Sequence, residues 1–187
     1  RVRNVTIKNV VIRGFDTGIF LGGSFNNIIS GNVIESMTSG IVLIESYRND
    51  ISGNDIIEHN EEGIGLFLGS SSNSISGNNI IANGQGIRLL ASSGNHIYHN
   101  NFMGNVKQVY DPWYPSIPSI NIWDDGSKGN YWSDYKGPDL DGDGIGDKPY
   151  VIDENNKDNY PLMRPFRATR VYGARVTRVY GEETEVW

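Results

Sequence analysis

Asn27-Ile28-Ile29-Ser30-Gly31-Asn32, Asn49-Asp50-Ile51-Ser52-Gly53-Asn54 and Asn73-Ser74-Ile75-Ser76-Gly77-Asn78 are three copies of one hexapeptide. Worn copies flank them: Asn4-Val5-Thr6-Ile7-Lys8-Asn9 before, and Asn95-His96-Ile97-Tyr98-His99-Asn100 after. The copies begin at 4, 27, 49, 73 and 95, so the spacings are 23, 22, 24 and 22 residues. A second block recurs between them, as Gly18-Ile19-Phe20-Leu21, Gly40-Ile41-Val42-Leu43, Gly63-Ile64-Gly65-Leu66 and Gly86-Ile87-Arg88-Leu89. Two separate blocks keeping one period of about 23 residues define a structural repeat.

That period is too short for paired-helix repeats of ~33 residues or more, and a leucine-rich repeat needs a leucine ladder where this chain has Ile, Asn and Gly. Within Gly-Ile-x-Leu the apolar residues alternate with a variable one, which is strand periodicity. The fold class expected is all-β: a right-handed, single-stranded parallel β-helix of about five ~23-residue coils with an irregular C-terminal cap. Ile19, Ile41, Ile64 and Ile87 should stack inside, with Leu21, Leu43, Leu66 and Leu89 as the next layer. Asn9, Asn32, Asn54, Asn78 and Asn100 should form an amide ladder and tolerate the left-handed bend. At ~4.8 Å per coil, five coils make a rod ~24 Å long.

The 187 residues carry a formal net charge of −6 and no cysteine. The acidic balance argues against a nucleic-acid partner, which selects a basic face. The absence of cysteine excludes disulfides and thiolate metal sites. No stretch approaches the ~20 apolar residues of a transmembrane helix. The chain opens at Arg1, within what reads as a repeat, and is expected to be a fragment or a mature product. Three segments follow: repeats over 1–105, an aromatic and Asp-rich cap over 106–163, and a tail over 164–187 whose Thr-Arg-Val-Tyr-Gly occurs twice, a hairpin or a processing remnant. An uncovered first coil predicts self-association or fraying.

After Asn105 the period stops, and Pro112, Pro115 and Pro118 break the strands. The string Asn121-Ile122-Trp123-Asp124-Asp125-Gly126, Gly129-Asn130-Tyr131-Trp132-Ser133-Asp134-Tyr135, the acidic run Asp139 to Asp147, and Tyr160-Pro161-Leu162-Met163 follow. Together with the repeats, they resemble the parallel β-helix family called CASH, of carbohydrate-binding and sugar-hydrolase proteins, and its NosD-type members linked to copper-enzyme maturation. The C-terminal string resembles the segment closing many archaeal and some bacterial surface proteins of that group. The resemblance covers residues 1 to 163. It implies an extracellular, cell-surface or periplasmic location, with polysaccharide or cell-envelope components as partners, and fixes no single chemistry.

Asp139, Asp141 and Asp143 fall at positions 1, 3 and 5 of a calcium loop, with Gly144 at 6, Ile145 at 7 and Asp147 at 9. Alternate carboxylates wrap a hard cation, glycine permits the sharp turn, and the Ile145 carbonyl supplies another oxygen. Tyr150 stands at position 12, where a bidentate Glu is usual, and Asp153 or Asp158 is the candidate replacement. A structural calcium ion is therefore expected, against the alternative of a solvated acidic turn. Trp113, Trp123 and Trp132 are candidates for stacking on sugar rings, with core packing the stronger alternative. Phe20, Val42, Ile44, Phe67 and Leu90 should point outward as an apolar stripe, which segment 106–135 is expected to cover.

No catalytic residues emerge. The variable position of Gly-Ile-x-Leu reads Phe20, Val42, Gly65, Arg88, with no acid. Glu58, His59, Glu61 and Glu62 cluster on one turn, with Glu35 a coil away, and read as a solvated face. Copper needs imidazole or thioether ligands. The candidates are His59, His96, His99, Met37, Met103 and Met163, and a worn final repeat is the better account of His96 and His99. The leading expectation is a non-catalytic surface or secreted module, structural or carbohydrate-interacting, with a calcium-ordered cap. The alternatives are a fragment of a polysaccharide lyase, hydrolase or epimerase, and a copper-pathway accessory protein.

Overall fold

A computed structural model describes residues 1–112 and 115–167, and the backbone of Thr177–Tyr180. Each coil contributes three strands. The first has β1 (Thr6–Lys8), β2 (Val10–Arg13) and β3 (Thr17–Gly22), the second β4 (Ile28–Ser30), β5 (Val33–Glu35) and β6 (Ser39–Ile44). The third has β7 (Asp50–Ser52), β8 (Asp55–Ile57) and β9 (Glu62–Phe67), the fourth β10 (Ser74–Ser76), β11 (Asn79–Ile81) and β12 (Gln85–Leu90). The fifth has β13 (His96–Tyr98), β14 (Asn101–Met103) and β15 (Lys107–Tyr110). Like strands of successive coils pair in parallel and build three sheets, the parallel β-helix expected from the repeat. Among the described residues there is no helix, so none is long and apolar enough to cross a membrane.

The register explains the repeat residue by residue. Ile29, Ile51, Ile75 and Ile97 pair in one column, and Ile12, Ile34, Ile56, Ile80 and Phe102 in a second. Ile19, Ile41, Ile64 and Ile87 form a third, with Leu21, Leu43, Leu66 and Leu89 beside it. From the second coil onward these side chains are fully buried. The glycine at the second place of β3, β6, β9 and β12 is fixed by close approach to the following coil. A Cβ on Gly40 would lie 2.4 Å from the Gly63 carbonyl oxygen, and one on Gly18 2.7 Å from that of Gly40.

The asparagines form two unbroken ladders. In one, Nδ2 donates to Oδ1 of the next coil from Asn27 through Asn49, Asn73 and Asn95 to Asn121. In the other, the same bond runs from Asn32 through Asn54, Asn78 and Asn100 to Asn130. The left-handed residue is the one before the ladder asparagine: Gly31, Gly53 and Gly77, and then His99 with φ 58°. The expected first copy slips by one place. Asn4 and Asn9 are themselves left-handed, and Val5 and Val10 occupy the ladder positions, their N–H groups donating to Asn27 and Asn32.

Two further ladders carry no hexapeptide signature. Ser24, Ser46 and Ser70 pass backbone N–H to hydroxyl bonds up the stack, as Ser92 does to Ser119. His59, Asn83 and Asn105 form the other. His59 accepts from Met37 N at Nδ1 and meets the Ile34 carbonyl at Nε2, taking the part of an asparagine. Burial lowers its pKa. It is therefore a structural member of the core, not part of a solvated acidic turn.

Candidate metal centre and the cap that carries it

The cap is built by continuing the ladders beyond the regular repeat. Trp132, on β16 (Tyr131–Trp132), pairs opposite Phe102 and extends that core column. Its ring stacks on Phe102 at 4.2 Å and on Tyr150 at 4.2 Å, so three aromatic planes close the stack. Trp123 packs beside it at 5.9 Å. Trp123 and Trp132 are 0% and 1% exposed, and neither has a face free to stack on sugar. That expectation is corrected by their burial, and Trp113 lies outside the described residues. Both tryptophans are in the axial core, not over the outward stripe, and Phe20 stays 59% exposed.

The ladders then end on groups suited to a terminus. Asn121 N and Trp123 Nε1 both donate to Asn156 Oδ1. Asn130 N and Trp132 Nε1 donate to Asp158 Oδ2, at 2.6 and 2.9 Å, and Tyr160 N to Oδ1. A carboxylate accepts without donating, which fits a last member with no coil beyond it. Burial pushes Asp158 up to about 6, against the donors that favour its charged form. Asp153 is spent on Asn155 and Asn156. Neither Asp153 nor Asp158 is therefore free to replace the missing position-12 ligand, and Tyr150 occupies that position because its ring is part of the aromatic stack.

The acidic loop hangs from this cap. Asp139, Asp141 and Asp143 bring one oxygen each to within 4.8 Å of one another, the one such group of three among the described residues. Asp139 folds the loop by accepting from Gly142 N at 2.8 Å and Gly144 N at 3.1 Å. Gly142 and Gly144 have φ 75° and 87°, the left-handed conformation that glycine adopts without strain. Asp147 lies outside the group of three and closes the loop by accepting from Leu140 N at 2.7 Å. Ile145 donates its N–H to Asp143 and bridges to Leu162. Gly146 N donates to the Pro161 carbonyl and Met163 N to that of Gly144. The loop is thus hydrogen-bonded to segment 161–163, just after the ladder terminus Asp158.

The outer face of the third sheet holds a second polar group. Glu62 is 4% exposed and accepts from Ser39 Oγ at 2.8 Å, where the sequence suggested a solvated acid. The spacing of Thr17, Ser39, Glu62 and Gln85 could have revealed this row, since it keeps the period of the neighbouring Gly-Ile-x-Leu block.

The family model described as "Periplasmic copper-binding protein (NosD)" matches residues 2–137. The chain belongs to the NosD family. A "Probable ABC transporter binding protein NosD" of Pseudomonas aeruginosa is 37% identical over 103 residues, 54% of this chain and 23% of that protein. Its namesake in Stutzerimonas stutzeri is 42% identical over 71 residues, 37% of this chain and 15% of that protein. The chain thus matches less than a quarter of the length of these curated NosD relatives. The family's periplasmic description agrees with the expected location outside the cytoplasm.

Copper is implied by the family description, and the three histidines are not arranged to hold it. His59 is locked in its ladder. His96 Nε2 is 2.7 Å from the Asp124 carbonyl, while His99 Nε2 lies 3.0 Å from the Asp125 carboxylate, so the two imidazoles face different groups. His99 is flanked by the Phe166 ring at 4.3 Å, and burial lowers its pKa despite Asp125. The group of three carboxylates offers hard oxygen ligands, which suit calcium, magnesium or manganese in preference to copper.

Proposed function

We propose that this NosD-family chain is a non-catalytic β-helix module of the cell surface or envelope, structural or polysaccharide-interacting, with one calcium ion ordering its cap. The observation that carries the calcium reading is the convergence of Asp139, Asp141 and Asp143 within 4.8 Å on a loop turned by two left-handed glycines. Three carboxylates so close, Asp141 and Asp143 of them exposed and Asp139 partly buried, repel one another, and a hard cation removes that cost. Asp147 and the Ile145 carbonyl complete the proposed ligand set directly or through water. Because the loop is hydrogen-bonded to segment 161–163, calcium should tighten the same segment that ends the asparagine ladder.

Calcium titration by calorimetry, with thermal melts in calcium and in chelator, tests this reading. Saturation at 100 times Kd should stabilise the fold by ~2.7 kcal/mol. Asp141→Asn should abolish most of that difference, since it removes one charged ligand of the group of three and touches no ladder. No heat and no chelator-dependent shift would leave an acidic turn. The family description favours a second reading, in which the module serves a copper pathway as scaffold. Copper retained at one equivalent after dialysis would overturn the assignment of a calcium-only module. Self-association remains part of the proposal. The β2 edge of the first coil pairs with β19 (Thr177–Tyr180), while the outer edges of β1 and β3 pair with no strand among the described residues.

A further inference from the structure

At the corner where the first sheet turns into the second, the third coil has Ser52-Gly53 and the fourth has Ser76-Gly77. The fifth coil places His99 where the others have glycine. Two steps of small residues below an imidazole leave a hollow. Those four residues, with His99, Phe166 and Arg167, line a cavity of about 390 Å³. Its far wall is anchored. Phe166 N donates to Asn101 Oδ1 at 2.6 Å, and Asn101 Nδ2 donates to the Phe166 carbonyl at 2.9 Å. The Phe166 ring stacks on His99 at 4.3 Å, and Arg167 follows directly in the chain.

The lining carries donors that the rest of the chain does not meet. Among the described residues, the hydroxyls of Ser52 and Ser76 have no hydrogen-bond partner and the Arg167 guanidinium has no ion pair. Ser52 and Ser76 pair in register on β7 and β10, one coil or ~4.8 Å apart. Two O–H···O bonds of ~2.8 Å reach across that gap, so one acceptor can take both hydroxyls. No Asp or Glu lines the cavity. Asp125, on the far edge of His99, is outside the lining and already accepts from Ser127 N, Ser127 Oγ and Lys128 N. Burial lowers the His99 pKa, so at pH 7 the charge of the lining is that of Arg167.

A free guanidinium and two free hydroxyls, with no acid among them, select an oxyanion. The guanidinium fork matches phosphate oxygens in pairs. The volume falls in the ~300–1,000 Å³ range of small-molecule sites and exceeds what a bare ion fills. Phe166 gives the remainder an apolar surface. We propose that this corner cavity binds a small organic phosphate, its phosphoryl oxygens on Arg167, Ser52 and Ser76 and its apolar part against Phe166. The site shares no residue with the acidic loop, so it stands or falls separately from the calcium reading.

The test is an amide NMR titration of the full chain at pH 7 and low salt with phenyl phosphate, beside inorganic phosphate, benzoate and phenol. Phenyl phosphate should give saturable shifts centred on Gly53 and Gly77, and inorganic phosphate the same shifts with weaker affinity. Arg167→Ala should weaken phenyl phosphate roughly tenfold, and Ser76→Ala roughly fivefold, the worth of one hydrogen bond. Arg164→Ala, an exposed cation of the same segment outside the lining, should bind as wild type. All three variants should keep the wild-type melting temperature, since none removes a buried side chain. No saturable shift with either phosphate would overturn the proposal, as would an Arg167→Ala chain that binds like wild type. Equal weakening by Arg164→Ala and Arg167→Ala would reveal general attraction to positive charge and overturn the site. Benzoate or phenol binding as tightly as phenyl phosphate would overturn the phosphate class. Inorganic phosphate binding as tightly would overturn the organic part.

Discussion

Replacing Asn78 by alanine removes one rung from the middle of a ladder and should cost about 4 kcal/mol. Asn78 is fully buried. Its Oδ1 accepts from Asn54 N and Asn54 Nδ2, each at 2.9 Å, and its Nδ2 donates to the Ile51 carbonyl at 2.8 Å and Asn100 Oδ1 at 2.9 Å. Each of these bonds is worth ~1 kcal/mol net, and Asn54 N is left buried without an acceptor. Asn78→Asp keeps the acceptor but loses both donations and sets a charge against Asn100 Oδ1. At pH 7 it should destabilise at least as much as alanine. A carboxylate is native at the ladder's end, Asp158, because no following coil awaits its hydrogen. Urea unfolding followed by circular dichroism, with tryptophan fluorescence reporting the cap, measures the loss. With an unchanged slope of ~2 kcal/mol/M, the midpoint should fall by about 2 M. An Asn78→Ala shift below ~0.5 M, or an Asn78→Asp protein as stable as wild type, would refute the reasoning.

Gly40→Ala should cost ~2–4 kcal/mol, because its Cβ would meet the Gly63 carbonyl at 2.4 Å and the Ile56 side chain at 2.9 Å. Gly53→Asn at a left-handed turn with open space should change the urea midpoint little. His59→Asn should be near neutral and His59→Ala cost ~2 kcal/mol, since Met37 N and the Ile34 carbonyl need a two-sided partner. Asp158 is raised to about 6 in the folded state, so its contribution is fullest below pH 4 and is lost as pH rises through 6. Relative to Asp158→Asn, wild type should lose up to ~3 kcal/mol between pH 4 and 7, read from parallel urea titrations. A difference constant with pH would contradict the raised pKa.

The third strand of each coil shows how much the sequence discloses. Gly-Ile-x-Leu announces two buried rows by its alternation. The reason for its glycine, a carbonyl of the next coil 2.4–3.0 Å from a Cβ, is visible only once coils are stacked. Glu62 read as one of three acids and a histidine on a turn, yet it pairs opposite Gln85 and accepts from Ser39, in a row across the coils. His59 looked like a metal candidate because imidazole chemistry is conspicuous, whereas its role depends on standing one coil below Asn83. The first repeat slipped by one because Asn4 and Asn9 imitate ladder residues while serving as left-handed turns. In the candidate metal centre, the spacing of Asp139, Asp141 and Asp143 was legible because loop geometry is local. The fates of Asp153, Asp158 and Tyr150 were not, because each is taken by the cap.

By itself the sequence determined the architecture: a repeated hexapeptide and a repeated tetrapeptide in one period admit a single stacking arrangement, since every coil must meet its own copy. The tertiary structure alone decided how the stack ends. Trp123, Trp132, Tyr150, Asn156 and Asp158 come from segments with no shared period, and they converge because the last coil leaves an apolar column and two rows of amide donors that must be covered. Periodicity is a property of neighbours along the stack, and termination is set by whatever residues satisfy the final, unpaired surface.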